Sequence, residues 1–484
     1  ASLVESDPDL PEMLSWTIRS EENDGFPVFG EAVEAGGWWT SAGNYDISWY
    51  DEAEDSFSIS TPAQLAGVAY LVKTGRTFEG KTVTLSGNID LDGLKWEPIG
   101  KANLQQIFKG VFDGGGYEIH NLRSEVISTG EAYSGLFGAI YQARVTRVVL
   151  AEDCEIRTSY YGVVAYAQES EIVSCENRAS VSFEGPAGYV GGIAGYVSTS
   201  SIDRCENLGV VTGTVQPSDN YASCLVYTGG IAGVNQGATI INNSNHAAVA
   251  VEALPEYDSC AGGIVGYNSG SSVAFIANCY NAAGVRLSGA GFAGGILSYT
   301  DNGDVRVANC YNVGTVSGVP GKSYPIVPIL SADSEDCYYL MNCVEGEGSY
   351  AGTALTVDYM KSTAFAARLN DWSKTNNSSE TGRQTLYWKV EDAENDGYPV
   401  FTDQDPGYTG VESVVSGVRI YPTTVSGELF VCGAESPIYI CNLAGHIVSI
   451  IDPTEEITVV DMSRLVAGVY LLRTGGKVVR LVKL

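Results

Sequence analysis

The chain has 484 residues, enough for about three domains at roughly 150 residues each. Its 27 Lys and Arg against 58 Asp and Glu leave a formal charge of −31, which argues against a nucleic-acid partner. With 44% apolar residues, 57 Gly and only 16 Pro it is neither a disordered polymer nor a collagen-like one, and no apolar run is long enough for a membrane-spanning helix.

The N-terminal Ala1-Ser2-Leu3-Val4-Glu5-Ser6-Asp7 lacks the basic and apolar regions of a signal peptide. Within residues 1–30, Trp16-Thr17-Ile18 and Glu22-Asn23-Asp24-Gly25-Phe26-Pro27-Val28-Phe29 match Trp388-Lys389-Val390 and Glu394-Asn395-Asp396-Gly397-Tyr398-Pro399-Val400-Phe401, with identical spacing. The second copy closes a module, so residues 1–30 are expected to be the tail of an upstream module in a longer natural protein. Residues 31–79 read as an N-terminal cap. Thr61-Pro62-Ala63-Gln64 supplies an N-cap, a proline at N1 and a glutamine at N3, predicting a helix over 61–75.

Residues 80–345 carry the informative signal, internal repetition. A Gly-rich apolar motif recurs as Ser134-Gly135-Leu136-Phe137-Gly138, Gly191-Gly192-Ile193-Ala194-Gly195, Gly229-Gly230-Ile231-Ala232-Gly233, Gly262-Gly263-Ile264-Val265-Gly266 and Gly294-Gly295-Ile296-Leu297, with a degenerate copy at Gly162-Val163-Val164. The steps run 27, 30, 38, 33 and 32 residues. Between the copies lie Cys175-Glu176-Asn177, Cys205-Glu206-Asn207, Asn243-Ser244-Asn245, Cys279-Tyr280-Asn281 and Cys310-Tyr311-Asn312. Each repeat holds short strands and turns and no ten-residue helix, and about 30 residues cannot bury their own apolar face. The fold class is therefore all-β: a right-handed parallel β-helix with short helical caps and a small C-terminal β-sandwich. Most repeats are too short for a propeller blade.

Stacking places Cys175, Cys205, Cys279 and Cys310, with Cys154, at one turn as buried free thiols. It places Asn177, Asn207, Asn245, Asn281 and Asn312 in a ladder that satisfies backbone groups. Alternation points Tyr280 and Tyr311 outward, as candidate ligand-face aromatics among 29 Tyr that include Tyr160, Tyr161, Tyr189, Tyr196, Tyr267 and Tyr299. The bland reading of such a row is a ladder that stabilises the sheet. Cys337/Cys343 and Cys432/Cys441 are the disulfide candidates. Residues 346–402 read as a C-terminal cap, with a helical stretch from Thr356 to Asn370. Residues 403–411 read as a linker, and 412–484 as the sandwich, ending in a basic tail.

Residues 134–312 resemble the GLUG-motif repeats of bacterial surface proteins. Phe57-Ser58-Ile59-Ser60-Thr61-Pro62, Trp96-Glu97-Pro98-Ile99-Gly100 and Val111-Phe112-Asp113-Gly114-Gly115-Gly116 resemble the lead-in of that family. The likeness implies an adhesin-like role, and some members carry the repeats beside a protease domain. Residues 412–484 resemble the C-terminal sorting domain of the Bacteroidetes type-nine secretion system, through Tyr421-Pro422, Leu443 to Gly445, Asp461, Leu465, Gly468-Val469-Tyr470-Leu471 and the basic tail. Thr423-Thr424 follow Tyr421-Pro422 where the family has Asn-Pro. This likeness implies contact with secretion machinery and an extracellular or outer-membrane location.

Catalytic and metal motifs are sparse. His120, His246 and His446 are far apart, so no multi-His centre and no His-Glu-x-x-His helix arises. Asn88-Ile89-Asp90-Leu91-Asp92-Gly93 begins like a calcium loop, but Ile99 stands at the twelfth position. Asp113 near His120, and Asp304 near Arg306, are the nearest acid–base combinations, and neither recurs on neighbouring rungs. The sequence reading is thus a monomeric, non-catalytic adhesin-like protein, without cofactor or metal, whose partner is a host glycan or an extracellular protein. The alternative is a carbohydrate-active β-helix, a lyase or hydrolase or a glycan-binding module.

Overall fold

The computed structural model describes residues 15–18, 27–30 and 37–484, apart from 125–132, 158–159, 218–223, 271–272, 302–304, 329–332, 345–349, 378–383, 392, 409–418, 422–423, 426, 435, 443–445, 454–456 and 475–476. Two compact units divide the chain, Ala1–Pro406 and Gly407–Leu484.

The first unit is a parallel β-helix. Its strands build parallel sheets of ten, ten, seven, six and six members, in which each strand pairs with its counterparts one repeat away. Register is set by apolar columns. Phe57, Val83, Phe112, Val145, Ile172, Ile202, Ile240, Ile276 and Val307 stand in one row through consecutive pairings, and all but Phe57 are fully buried. A one-residue slip would turn the whole row outward, so burial pins the register.

The Asn row is continuous. Asn177, Asn207, Asn245 and Asn281 each donate Nδ2 to the Oδ1 of the next rung, ending on Asn312, at 2.7–2.9 Å, and each also donates to the carbonyl two residues on. The thiol row has a comparable logic, but Cys154 is not in it as expected: Val148 holds the place opposite Cys175, and Glu155 pairs with Ser180. Cys205 Sγ accepts the Cys175 amide at 3.4 Å, and Asn243 Oδ1 accepts the Cys205 amide at 2.8 Å in the equivalent place. Each side chain thus satisfies a backbone donor of the preceding rung.

The N-terminal end is closed by α1 (Pro62–Lys73), whose N-cap Thr61 accepts from the Gln64 amide at 3.2 Å, while Gln64 Oε1 takes the Ser60 amide at 2.9 Å. Leu65, Val68 and Val72 are fully buried against the first rungs. Near the other end lie α2 (Val357–Met360) and α3 (Thr363–Asn376). Ser362 caps α3 and divides the expected helical stretch in two, and α3 runs six residues past Asn370. After it, Tyr387–Lys389 and Val400–Thr402 form an antiparallel hairpin with Trp388 opposite Phe401. Ser15–Ile18 and Pro27–Gly30 form the same hairpin, with Trp16 opposite Phe29.

The disulfide expectations are corrected. Cys337 and Cys343 are free and buried: Cys337 Sγ donates to the Glu335 carbonyl at 3.3 Å, and Cys343 Sγ accepts from Asn312 at 3.7 Å. Cys441 is also a free buried thiol, and it stands in a different sheet from Cys432, whose side chain lies outside the described residues.

In the second unit a three-stranded and a five-stranded sheet share a core of Leu429, Val431, Val460, Ile438, Ile440, Leu472 and Leu481. Of the residues quoted for the sorting-domain likeness, Pro422 and Leu443 to Gly445 lie outside the described residues. Among the described residues, no helix is long and apolar enough to cross a membrane.

Candidate functional site

The expectation that Tyr280 and Tyr311 present a ligand face is overturned. They do point out of the solenoid and stack at 5.0 Å, but the C-terminal cap lies on top of them. Trp388 and Phe401 approach Tyr280 at 5.8 and 5.2 Å, and Phe365 approaches Tyr311 at 5.7 Å. Tyr311 Oη donates to the Pro399 carbonyl and accepts from Asn395 Nδ2 at 3.0 Å. Only 3% of Tyr280 and none of Tyr311 remains exposed. The outward side chains are the apolar bed of the cap.

A second Asn row, not recognised in the sequence, holds that cap. Asn242, Asn278 and Asn309 adopt left-handed φ of 58°, 51° and 49°, which asparagine tolerates. Asn278 donates to Asn242, and Asn309 to Asn278, both at 2.8 Å. The row then meets the cap: Asn242 Oδ1 accepts the Leu386 amide at 2.9 Å, Asn278 Oδ1 accepts Trp388 Nε1 at 2.8 Å, and Asn309 Nδ2 donates to the Leu369 carbonyl at 3.1 Å. The earlier rungs have Arg147, Ser174 and Arg204 at this turn position, so the change to Asn is the signal in the sequence that marks where the cap docks.

Another aromatic row remains half-exposed. It lies where two six-stranded sheets meet at the Gly-rich motif. In one sheet Tyr166, Tyr196, Val234, Tyr267 and Tyr299 share a register position. In the other, Tyr189, Tyr227, Cys260 and Phe292 do. The motif's glycines let the sheets close on each other, since a Cβ on Gly233 would stand 2.5 Å from the Val190 amide nitrogen. The rings form one chain. Centroids are 5.5 Å apart for Tyr166–Tyr196, then 5.8 Å for Tyr196–Tyr189, 5.8 Å for Tyr189–Tyr227, 4.4 Å for Tyr227–Tyr267, 6.1 Å for Tyr267–Tyr299 and 4.5 Å for Tyr299–Phe292. Where Val234 and Cys260 leave one sheet without a ring, Tyr227 and Tyr267 carry the row across. Four rung steps make the strip roughly 19 Å long at about 4.8 Å per rung.

Neighbours in a column are nearly coplanar in orientation, at 9°, 3° and 12° for Tyr166–Tyr196, Tyr189–Tyr227 and Tyr267–Tyr299. Their faces are spent on each other, so the strip offers ring edges and hydroxyls. Tyr196 Oη donates to Gln236 Oε1 at 2.7 Å and Tyr166 Oη to Gln168 at 3.1 Å. Burial pushes the phenols of Tyr166, Tyr189 and Tyr227 up, which keeps them neutral. Lys322 lies 4.7 Å over Phe292 and is paired with Asp258 at 3.0 Å.

The acid–base combinations resolve otherwise than expected. Asp113 binds Arg147 rather than His120. His120 Nδ1 lies 3.0 Å from Asp153 and Nε2 3.2 Å from Glu118, so both ring nitrogens face carboxylates, and Asp153 above all raises the imidazole pKa. Asp304 lies outside the described residues, and Arg306 pairs with Glu335 at 2.6 Å. In the calcium-like stretch, Asp90 accepts the Asp92 amide and Asn121 Nδ2 at 3.0 and 2.9 Å, as an ordinary turn. Among the described residues, no three His, Cys, Asp or Glu side chains converge as metal ligands.

No family model matches the chain, and no curated protein does. Among solved structures, it is similar to a Bacteroides ovatus protein provisionally called an immunoglobulin A1 protease, at 19% identity and a TM-score of 0.41, covering 72% of this chain and 93% of that one. It is also similar to a structure named IgA1 protease, at 13% identity and a TM-score of 0.33, covering 71% of this chain and 23% of that one. These names overturn the expectation that the chain is not an enzyme, and that expectation is withdrawn. The likeness itself is one of fold.

Proposed function

We propose that this is an exported β-helix protein, displayed at the cell surface or secreted, that holds an extracellular protein partner along the tyrosine strip. The observation that carries the reading is the unbroken chain of seven half-exposed rings from Tyr166 to Phe292. Exposed rows of Tyr with a polar rim have the composition of protein-interface hot spots. Edges and hydroxyls suit a protein face better than a stacked sugar, because the ring faces are already occupied. The likeness of residues 134–312 to GLUG repeats and of 412–484 to a sorting domain supports export and display. The test is binding of the full chain to an array of extracellular matrix proteins and glycans. Saturable binding to a protein, weakened by Tyr196→Phe with Tyr227→Phe and Tyr267→Phe, is the expected outcome. Binding that ignores the three substitutions would reject the strip as the contact face.

A further inference from the structure

At the edge of the C-terminal cap, the hairpin covers only part of the solenoid's outward column. In that column Glu206, Ser244, Tyr280 and Tyr311 follow one another on successive rungs. Trp388 and Phe401 cover the two tyrosines. The small Ser244 and the shorter reach of the cap leave a cleft of about 470 Å³ above Glu206. Leu386, Val400 and Phe401 form its cap-side wall, and Arg204, His246, Glu394 and Asn395 bring polar groups to it.

These polar groups are arranged. His246 Nε2 lies 3.1 Å from Glu206 Oε1 and 3.0 Å from Tyr280 Oη. The carboxylate requires a proton on that nitrogen, so the Tyr280 hydroxyl oxygen can only accept from it. Tyr280 is kept neutral by burial, helped by the nearby Glu206 and Glu394 carboxylates. The cleft therefore offers donors from Arg204, which Asp403 approaches at only 3.8 Å, acceptors from Glu206 and Glu394, and the amide of Asn395, one of whose N–H groups is held by Tyr311. A cation would find both carboxylates already paired, Glu206 with His246 at 3.1 Å and Glu394 with Lys389 at 3.6 Å. An anion would be repelled by the two carboxylates. A ring that carries several hydroxyls needs donors and acceptors side by side, and an apolar wall for its C–H face.

We propose that this cleft is a binding site for a single sugar residue of a glycan, seated against Phe401 with its hydroxyls shared among Glu206, Arg204 and Asn395. The site lies in a different column from the tyrosine strip and does not depend on it.

The test is calorimetric titration of the full chain with a panel of neutral mono- and disaccharides and with a lysine-rich peptide. Glu206→Gln keeps the shape and removes the charge, and Glu206→Trp fills the cleft. Position 206 is partly exposed, so both variants keep the fold, checked by circular dichroism. Saturable binding of one sugar, weakened at least tenfold by both variants and unchanged by Tyr267→Phe in the strip, is the expected result. No binding of any sugar in the panel, sugar binding that survives both variants, or binding of the peptide alone would overturn the proposal.

Discussion

Trp388 Nε1 donates to Asn278 Oδ1 at 2.8 Å, across 110 residues of sequence. The same oxygen accepts from Asn309, and the Asn278 amide nitrogen reaches the Leu386 carbonyl at 3.0 Å. One buried asparagine thus joins the solenoid's turn row to the hairpin that covers Tyr280 and Tyr311.

Asn278→Ala should loosen the cap selectively. It orphans Trp388 Nε1 inside a buried interface and leaves the Leu386 carbonyl with Ser373 Oγ, at 3.1 Å, as its donor, a loss of about 1–3 kcal/mol for one unsatisfied buried group. Urea denaturation should show the drop. Limited proteolysis should cut first between residues 384 and 391 in the variant and leave the wild type intact there.

The thiol row makes a substitution test that separates packing from hydrogen bonding. Asn243 Nδ2 donates to the Ile202 and Ile241 carbonyls at 3.0 and 2.8 Å, and Cys205 Sγ faces the equivalent Ile172 and Asp203 carbonyls at 3.7 and 3.5 Å. Cys205→Asn should therefore stay within about 1 kcal/mol of wild type, whereas Cys205→Val should lose about 1–3 kcal/mol by orphaning the Cys175 amide. Chemical denaturation of the two variants side by side reads the difference.

Stability should fall in alkali. Burial pushes the thiols of Cys154, Cys260 and Cys343 up to about 12, from a usual value near 8.5. A folded pKa raised above the unfolded one gives a contribution fully present below about pH 8.5 and lost as pH climbs toward 12. Between pH 8 and pH 10 the loss should be on the order of 2 kcal/mol per thiol, because only the unfolded chain ionises. Urea midpoints across that range check the slope, and native protein should resist alkylation at pH 8.

Glycine at the motif corner should be irreplaceable. A Cβ on Gly229 would stand 2.0 Å from the Ala232 carbonyl oxygen, and one on Gly262 would stand 1.9 Å from that of Val265. Gly229→Ala should abolish folding or cost more than about 3 kcal/mol. Gly87→Ala, whose Cβ meets only Ser60 at 3.8 Å, should be tolerated. Melting temperature and soluble yield distinguish the two.

The solenoid was legible because its signal is periodic. Gly-Gly-Ile and Cys-x-Asn recur at the length of one turn, and only stacking buries such a repeat. The fate of Tyr280 and Tyr311 was not legible, because alternation says which way a side chain points and not what covers it. Their cover comes from residues 365–401, some 50 to 120 positions downstream. The clue lay one residue before the Cys or its Asn replacement, where Asn242, Asn278 and Asn309 replace Ser174 and Arg204. The tyrosine strip was hidden for a related reason. Its rings come from two strands on either side of each Gly-Gly turn, and no single sequence period aligns Tyr189 and Tyr227 with Tyr196 and Tyr267.

The tyrosine strip is tested by binding of the full chain to an extracellular-protein array, compared with a variant carrying Tyr196→Phe, Tyr227→Phe and Tyr267→Phe. The wild type should bind saturably and the variant with a dissociation constant at least tenfold higher, with unchanged circular dichroism. Equal binding by both proteins, or binding that maps to residues 407–484 alone, would contradict the strip as the contact face.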